Sequence, residues 1–161
     1  MTQFVIVREY PHPVEKVWRV MTDPDLMPLW TSTGQGGRAE GFLPVVGTSF
    51  RFVAKPTPGW RGFVDCEVLA VDPPHRLRFS WIGDENGKAS FVSYCLDPLP
   101  AGTRLTYEHT GFTGVGGFFM SKLLGSVRRK MLTVGLPAAL DAVDDEGRIR
   151  SAVDVNPKPE G

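Results

Sequence analysis

Residues 63–81 read FVDCEVLAVDPPHRLRFSW, and their alternation decides the fold. Val64, Cys66 and Val68 fall on one side of an extended chain, with Asp65 and Glu67 on the other. Asp72-Pro73-Pro74 breaks the run, after which Leu77, Phe79 and Trp81 resume the apolar side against Arg78 and Ser80. Side chains of a strand point alternately to opposite faces, so this stretch is two half-buried strands joined by a tight turn and therefore antiparallel. Similar runs occupy residues 49–54, 89–96 and 103–110, separated by Pro56-Thr57-Pro58-Gly59, Asp84-Glu85-Asn86-Gly87 and Asp97-Pro98-Leu99-Pro100-Ala101-Gly102. The prediction is a meander. Its inner face carries Phe50, Phe52, Val92, Tyr94, Leu96, Leu105, Tyr107 and His109, while Arg51, Arg104, Thr106 and Glu108 face water.

Upstream, residues 4–10 form a further strand that Pro11-His12-Pro13 ends by removing backbone donors. Val14, Val17, Trp18 and Met21 then recur at i, i+3, i+4 and i+7, one face of a short helix on which Trp18 is expected in the core. Asp23-Pro24 signals a second short helix carrying Leu26, Leu29 and Trp30. Residues 31–47, rich in Gly, Ser and Thr, read as a loop or edge strand. Downstream, a glycine-rich segment from Gly111 leads into a long helix over residues 118–143. Met120, Leu124, Val127, Met131 and Val134 make its stripe, with Leu123 and Leu132 beside it. Pro137 is expected to kink or restart this helix after Leu136. The fold class is α+β: a curved antiparallel sheet of about seven strands, two short helices after the first strand, and a long C-terminal helix over an apolar cavity. Residues 1–143 form one domain, and the polar residues 144–161 a disordered tail.

The 161 residues are 42% apolar and 22% charged, with 18 basic and 18 acidic side chains. A chain of this size buries roughly two-thirds of its unfolded surface, enough for a core without metals or disulfides. With no net field, nucleic acid is not an expected partner, and the basic cluster Arg128-Arg129-Lys130 reads as a solvated helix face. No run approaches the length of a membrane span, and no secretion signal precedes the first strand, so membrane insertion is not expected and the expected location is cytoplasmic. Cys66 and Cys95 sit two strands apart, about 9 to 10 Å, too far for a disulfide, and neither has a partner at zinc-loop spacing. Gly34-Gln35-Gly36-Gly37-Arg38-Ala39 formally fits a dinucleotide pattern, but no helix follows it to receive a phosphate. No cofactor is expected.

The order of elements resembles the helix-grip fold shared by START-type lipid-transfer domains, polyketide cyclases and birch-pollen-allergen-like proteins. A narrower resemblance rests on Tyr10-Pro11-His12-Pro13-Val14-Glu15-Lys16-Val17-Trp18, Thr22-Asp23-Pro24 and Trp30. It continues through residues 67–77 with Phe79 and Trp81, then Gly102-Thr103-Arg104-Leu105-Thr106 and His109-Thr110-Gly111-Phe112. These segments are similar to the domain homologous to the activator of the 90-kDa heat-shock protein ATPase. The resemblance implies a scaffold that hosts ligand binders, carriers, resistance proteins, co-chaperone domains and a few enzymes.

Three functions follow as expectations. The first is binding or carriage of a small hydrophobic ligand, lipid-, polyketide- or aromatic-like, without chemistry. Its lining would be Trp30, Phe52, Phe79, Trp81, Tyr94, Tyr107, His109, Phe112, Leu123, Val127 and Met131. The second is a cyclase or hydrolase in which His109 and Tyr107, two positions apart on one strand face, transfer a proton at a bound carbonyl. The third is a stress-response interaction module that contacts a chaperone or a second copy of the chain. His12 and His75 lie in proline turns and are expected at the surface, and Trp60 is a further candidate for core or ligand wall.

Overall fold

The structure, a computed structural model, describes residues 2–31, 38–53, 62–82, 89–112, 122, 124–144 and 148. The strands are β1 (Thr2–Tyr10), β2 (Arg38–Glu40), β3 (Ser49–Val53), β4 (Phe63–Asp72), β5 (Arg76–Ile82), β6 (Ser90–Leu99) and β7 (Gly102–Phe112). They form one antiparallel sheet in the order β1-β7-β6-β5-β4-β3-β2. The predicted meander is therefore present from β2 to β7, with β1 added beside β7 and β2 supplying an edge strand within the Gly-rich stretch. Arg38–Glu40, at the end of the formal dinucleotide pattern, is this strand, and Gly34, Gly36 and Gly37 lie outside the described residues. Cys66 on β4 and Cys95 on β6 are free thiols with β5 between them.

Two bulges modify the simple alternation. The pairing of β4 with β5 shifts between Val68 and Ala70, so Leu69 is exposed and Val71, opposite Leu77, returns to the core side. Ala70, opposite Arg78, is displaced from the face that Val64, Cys66 and Val68 share. A second shift separates Thr2 from Phe4 against β7, where Gly111 adopts φ +94°. That left-handed residue breaks the period of two, and both His109 and Phe112 end up buried, with ring centroids 4.5 Å apart.

Helix α1 (Val14–Thr22) buries Val14, Val17, Val20 and Met21, with Glu15 in its first turn and Arg19 in its last, the arrangement the helix dipole favours. Trp18 is only partly buried against the core. The second short helix is not formed as expected; helical geometry there is limited to a 3-10 turn, Met27–Leu29. Asp23 directs a turn instead: its carboxylate accepts the Asp25 N–H at 2.9 Å, and its carbonyl accepts those of Leu26 and Met27. The chain is then pinned back onto α1, because the indole N–H of Trp30 donates to the Val20 carbonyl at 3.0 Å.

The C-terminal helix comprises α2 (124–130), a π turn (Met131–Gly135) and α3 (Leu136–Ala142). The expected restart at Pro137 takes a specific form. The Leu136 N–H bonds to Met131 O rather than to Leu132 O, and Pro137, the next donor in a π pattern, has no N–H. The carbonyl of Leu132 is satisfied by the Tyr10 hydroxyl of β1, at 2.7 Å. Gly135 passes so close to the 3-10 turn that a Cβ there would lie 2.6 Å from Trp30 O. Residues 113–121, 123 and 149–161 lie outside the described residues, and with them the first turns of the predicted helix and most of the predicted tail.

Candidate functional site

The inner face of the sheet is a continuous aromatic floor. From β3 toward β1, Phe50, Phe52, Phe79, Trp81, Tyr94, Tyr107, His109, Phe112 and Phe4 form one connected network of ring contacts. Phe52 and Trp81 have centroids 5.9 Å apart, Phe79 and Tyr94 5.7 Å, Tyr94 and Tyr107 5.4 Å, Trp81 and His109 5.5 Å. These separations are typical of favourable aromatic pairs. Strand alternation brings the rings to one face, and antiparallel register sets them side by side: Phe79 opposite Val92, Tyr94 opposite Tyr107, and Val92 opposite His109.

Polar groups enter this floor at one end. His109 is fully buried, and its Nε2 lies 2.7 Å from the Ser90 hydroxyl. Its Nδ1 has no hydrogen-bond partner among the described residues. Burial, and to a lesser degree the Arg128 charge, lowers its pKa to about 3, so the imidazole is neutral near pH 7. Burial pushes the Tyr94 phenol well up and raises that of Tyr107, and both stay protonated. A base whose conjugate acid has a pKa of about 3 is poorly matched to proton abstraction at neutral pH, and among the described residues no carboxylate orients the ring.

Arg128 faces this floor from α2. Its guanidinium carbon lies 4.9 Å above the Trp81 ring, Nη1 donates to the Met131 sulfur at 2.9 Å, and its charge acts on the nearby Tyr107 phenol. Nε is buried without a partner among the described residues. This corrects the expectation that the basic cluster is a solvated face: Arg129 and Lys130 are exposed, whereas Arg128 is half-buried. The face that packs lies one step around the helix from the stripe of Leu124, Val127, Met131 and Val134. With successive residues about 100° apart, Met131, Leu124, Leu132 and Gly125 bound an arc with Arg128 near its middle. Val127 and Val134 are exposed, so Val127 does not point at the floor. An arginine counts as polar in any periodicity, although its stem packs as hydrocarbon.

Of the other expected lining residues, Phe52, Phe79, Trp81, Tyr94, Tyr107, His109 and Phe112 come together on the floor, and Met131 faces it from the π turn. Trp30 is buried in the seam between α1 and the 3-10 turn with its N–H satisfied. Leu123 and Trp60 lie outside the described residues. Ser90 joins the site unheralded by its residue type, on the face it shares with Val92 and Tyr94. His75 is exposed as expected, whereas His12 is half-buried, 3.5 Å from Asp141 of α3. A separate open groove of about 370 Å³ lies outside, between α1 and the Pro73-Pro74 turn, lined by Glu15, Trp18, Arg19 and Thr22. Among the described residues no cluster could hold a metal ion and no helix is long and apolar enough to cross a membrane.

Residues 11–118 match the family described as Activator of Hsp90 ATPase homolog 1-like protein. The solved structure of protein MLL2253 from Mesorhizobium loti is 31% identical, covers 89% of this chain and 99% of its own, and superposes with a TM-score of 0.74. A Rhodobacter sphaeroides protein is 23% identical with a TM-score of 0.73, covering 89% of this chain and 94% of its own. A structure titled as the Aha1 dimer from Colwellia psychrerythraea is 17% identical with a TM-score of 0.65, covering 86% and 97%. The last two likenesses concern the fold alone. No curated protein matches the sequence.

Proposed function

Since the chain belongs to the Activator of Hsp90 ATPase homolog 1-like family, on a helix-grip fold that serves many activities, we propose that its own function is to bind a small hydrophobic molecule between the inner sheet face and the C-terminal helix. The ligand is lipid-, polyketide- or aromatic-like and leaves chemically unchanged. The observation that carries this reading is a buried aromatic floor with polar groups gathered at one end, where the Nδ1 of His109 lacks a protein partner among the described residues. Apolar walls with a few convergent polar groups are the usual make-up of a small-molecule site, and an unpaired buried polar atom costs about 1–3 kcal/mol unless something satisfies it. The depressed basicity of His109 favours binding over the cyclase or hydrolase alternative.

Thermal unfolding with lipid, polyketide and flavonoid panels tests this. A ligand at about 100 times its Kd contributes about 2.7 kcal/mol, a rise in midpoint of several degrees. No rise with any compound near saturation would refute it. The family description favours one second reading, contact with a chaperone ATPase, for which the outward side chains Val5 and Val7 of the edge strand β1 are exposed. Stimulation of chaperone ATP turnover by the purified protein, undiminished when the floor is altered at Tyr107, would favour that reading instead.

A further inference from the structure

Resting on the binding site proposed above, we propose that its ligand is a hydrophobic monocarboxylate whose head pairs with Arg128. A guanidinium keeps its charge at any pH a protein tolerates, and here it is half-buried over an indole with one N–H sealed from solvent. Among the described residues no carboxylate forms an ion pair with it, whereas Arg51 pairs with Asp65 and Arg104 with Glu9 on the outer face. Its partners are a thioether and the Trp81 face, soft acceptors that do not neutralise a charge, together with the Tyr107 phenol. A half-buried cation without a counter-ion carries part of the desolvation cost of its charge, and a bound anion offsets it.

The geometry points to a carboxylate because its two oxygens suit the planar fork of an arginine, with the neutral Tyr107 hydroxyl beside it as a further donor. Among the described residues a second negative charge would find no second cation: the neighbouring imidazole of His109 stays neutral, and Arg129 and Lys130 point to solvent. The body of the ligand is then apolar, since Phe52, Phe50 and Phe79 continue the floor beyond Trp81.

The test uses decanoate and 2-naphthoate, each against its methyl ester, with binding followed by tryptophan fluorescence at neutral pH. Each acid is expected to bind the wild-type protein roughly ten- to a hundredfold more tightly than its ester, the range of a charge-assisted hydrogen-bonded pair. In Arg128→Met, which keeps the packed stem, the acid is expected to fall to the affinity of the ester. Arg128→Lys is expected to retain part of the preference. Equal affinities for acid and ester in the wild type, or a preference that survives Arg128→Met, would overturn the headgroup assignment. If neutral compounds shift the thermal midpoint while neither acid binds, the headgroup inference fails and the binding site stands; if nothing binds, the site itself fails. The wild-type comparison does not depend on any variant folding.

Discussion

His109 shows how one buried side chain sets a pH response. In the unfolded chain its imidazole titrates near the ordinary value of 6.5, and in the folded protein at about 3. Between these values the unfolded state holds a proton that the folded state does not, so stability falls as pH drops from about 6.5 toward 3, by up to about 1.4 kcal/mol per pH unit from this group. Urea unfolding between pH 4 and 7 is expected to give a shallower pH slope for His109→Phe, by up to one proton. Identical slopes would show that the imidazole titrates normally in the fold. The inward placement of His109 was legible by alternation from Leu105 and Tyr107, and so, in principle, was that of Ser90. That of Arg128 was not, because a hydropathy pattern scores the charge and ignores the stem.

At the scale of elements, the C-terminal helix is held by a backbone defect that its own sequence creates. Pro137 withholds the N–H that a π pattern would offer to Leu132 O, and Tyr10, more than a hundred residues earlier, supplies the donor. Tyr10→Phe is expected to destabilise the protein by about 1–3 kcal/mol, the cost of a buried carbonyl left unpaired. Pro137→Ala returns a backbone donor to that carbonyl, so the cost of Tyr10→Phe should shrink in the Pro137→Ala background. Additive costs in the double-mutant cycle would show that the hydroxyl and the missing N–H are unrelated. Pro137 announced a break in the helix, whereas the kind of break, and the strand that repairs it, depended on where β1 lies.

For the whole molecule, the decisive contact is the approach of the helix to the turn after α1. Gly135 lets the helix backbone pass over Trp30, and Gly135→Ala would force backbone apart, because the new Cβ meets Trp30 O at 2.6 Å. We expect a net loss of about 1–3 kcal/mol despite the better helix propensity of alanine, seen as a lower thermal midpoint. An unchanged or higher midpoint would contradict the close approach.

By itself the sequence determined the meander, the aromatic inner face and the family, because a period of two and short turn signals are local properties that survive without knowledge of what packs where. Only the tertiary structure decided which face of the C-terminal helix meets the sheet, which residues the bulges at Leu69 and Gly111 turn over, and that Arg128 rather than Val127 looks at the floor. A helix chooses its face by the sum of contacts on all sides. Here a buried arc of Met131, Leu132 and Gly125 outweighed the exposure of two valines and carried an arginine inward with it.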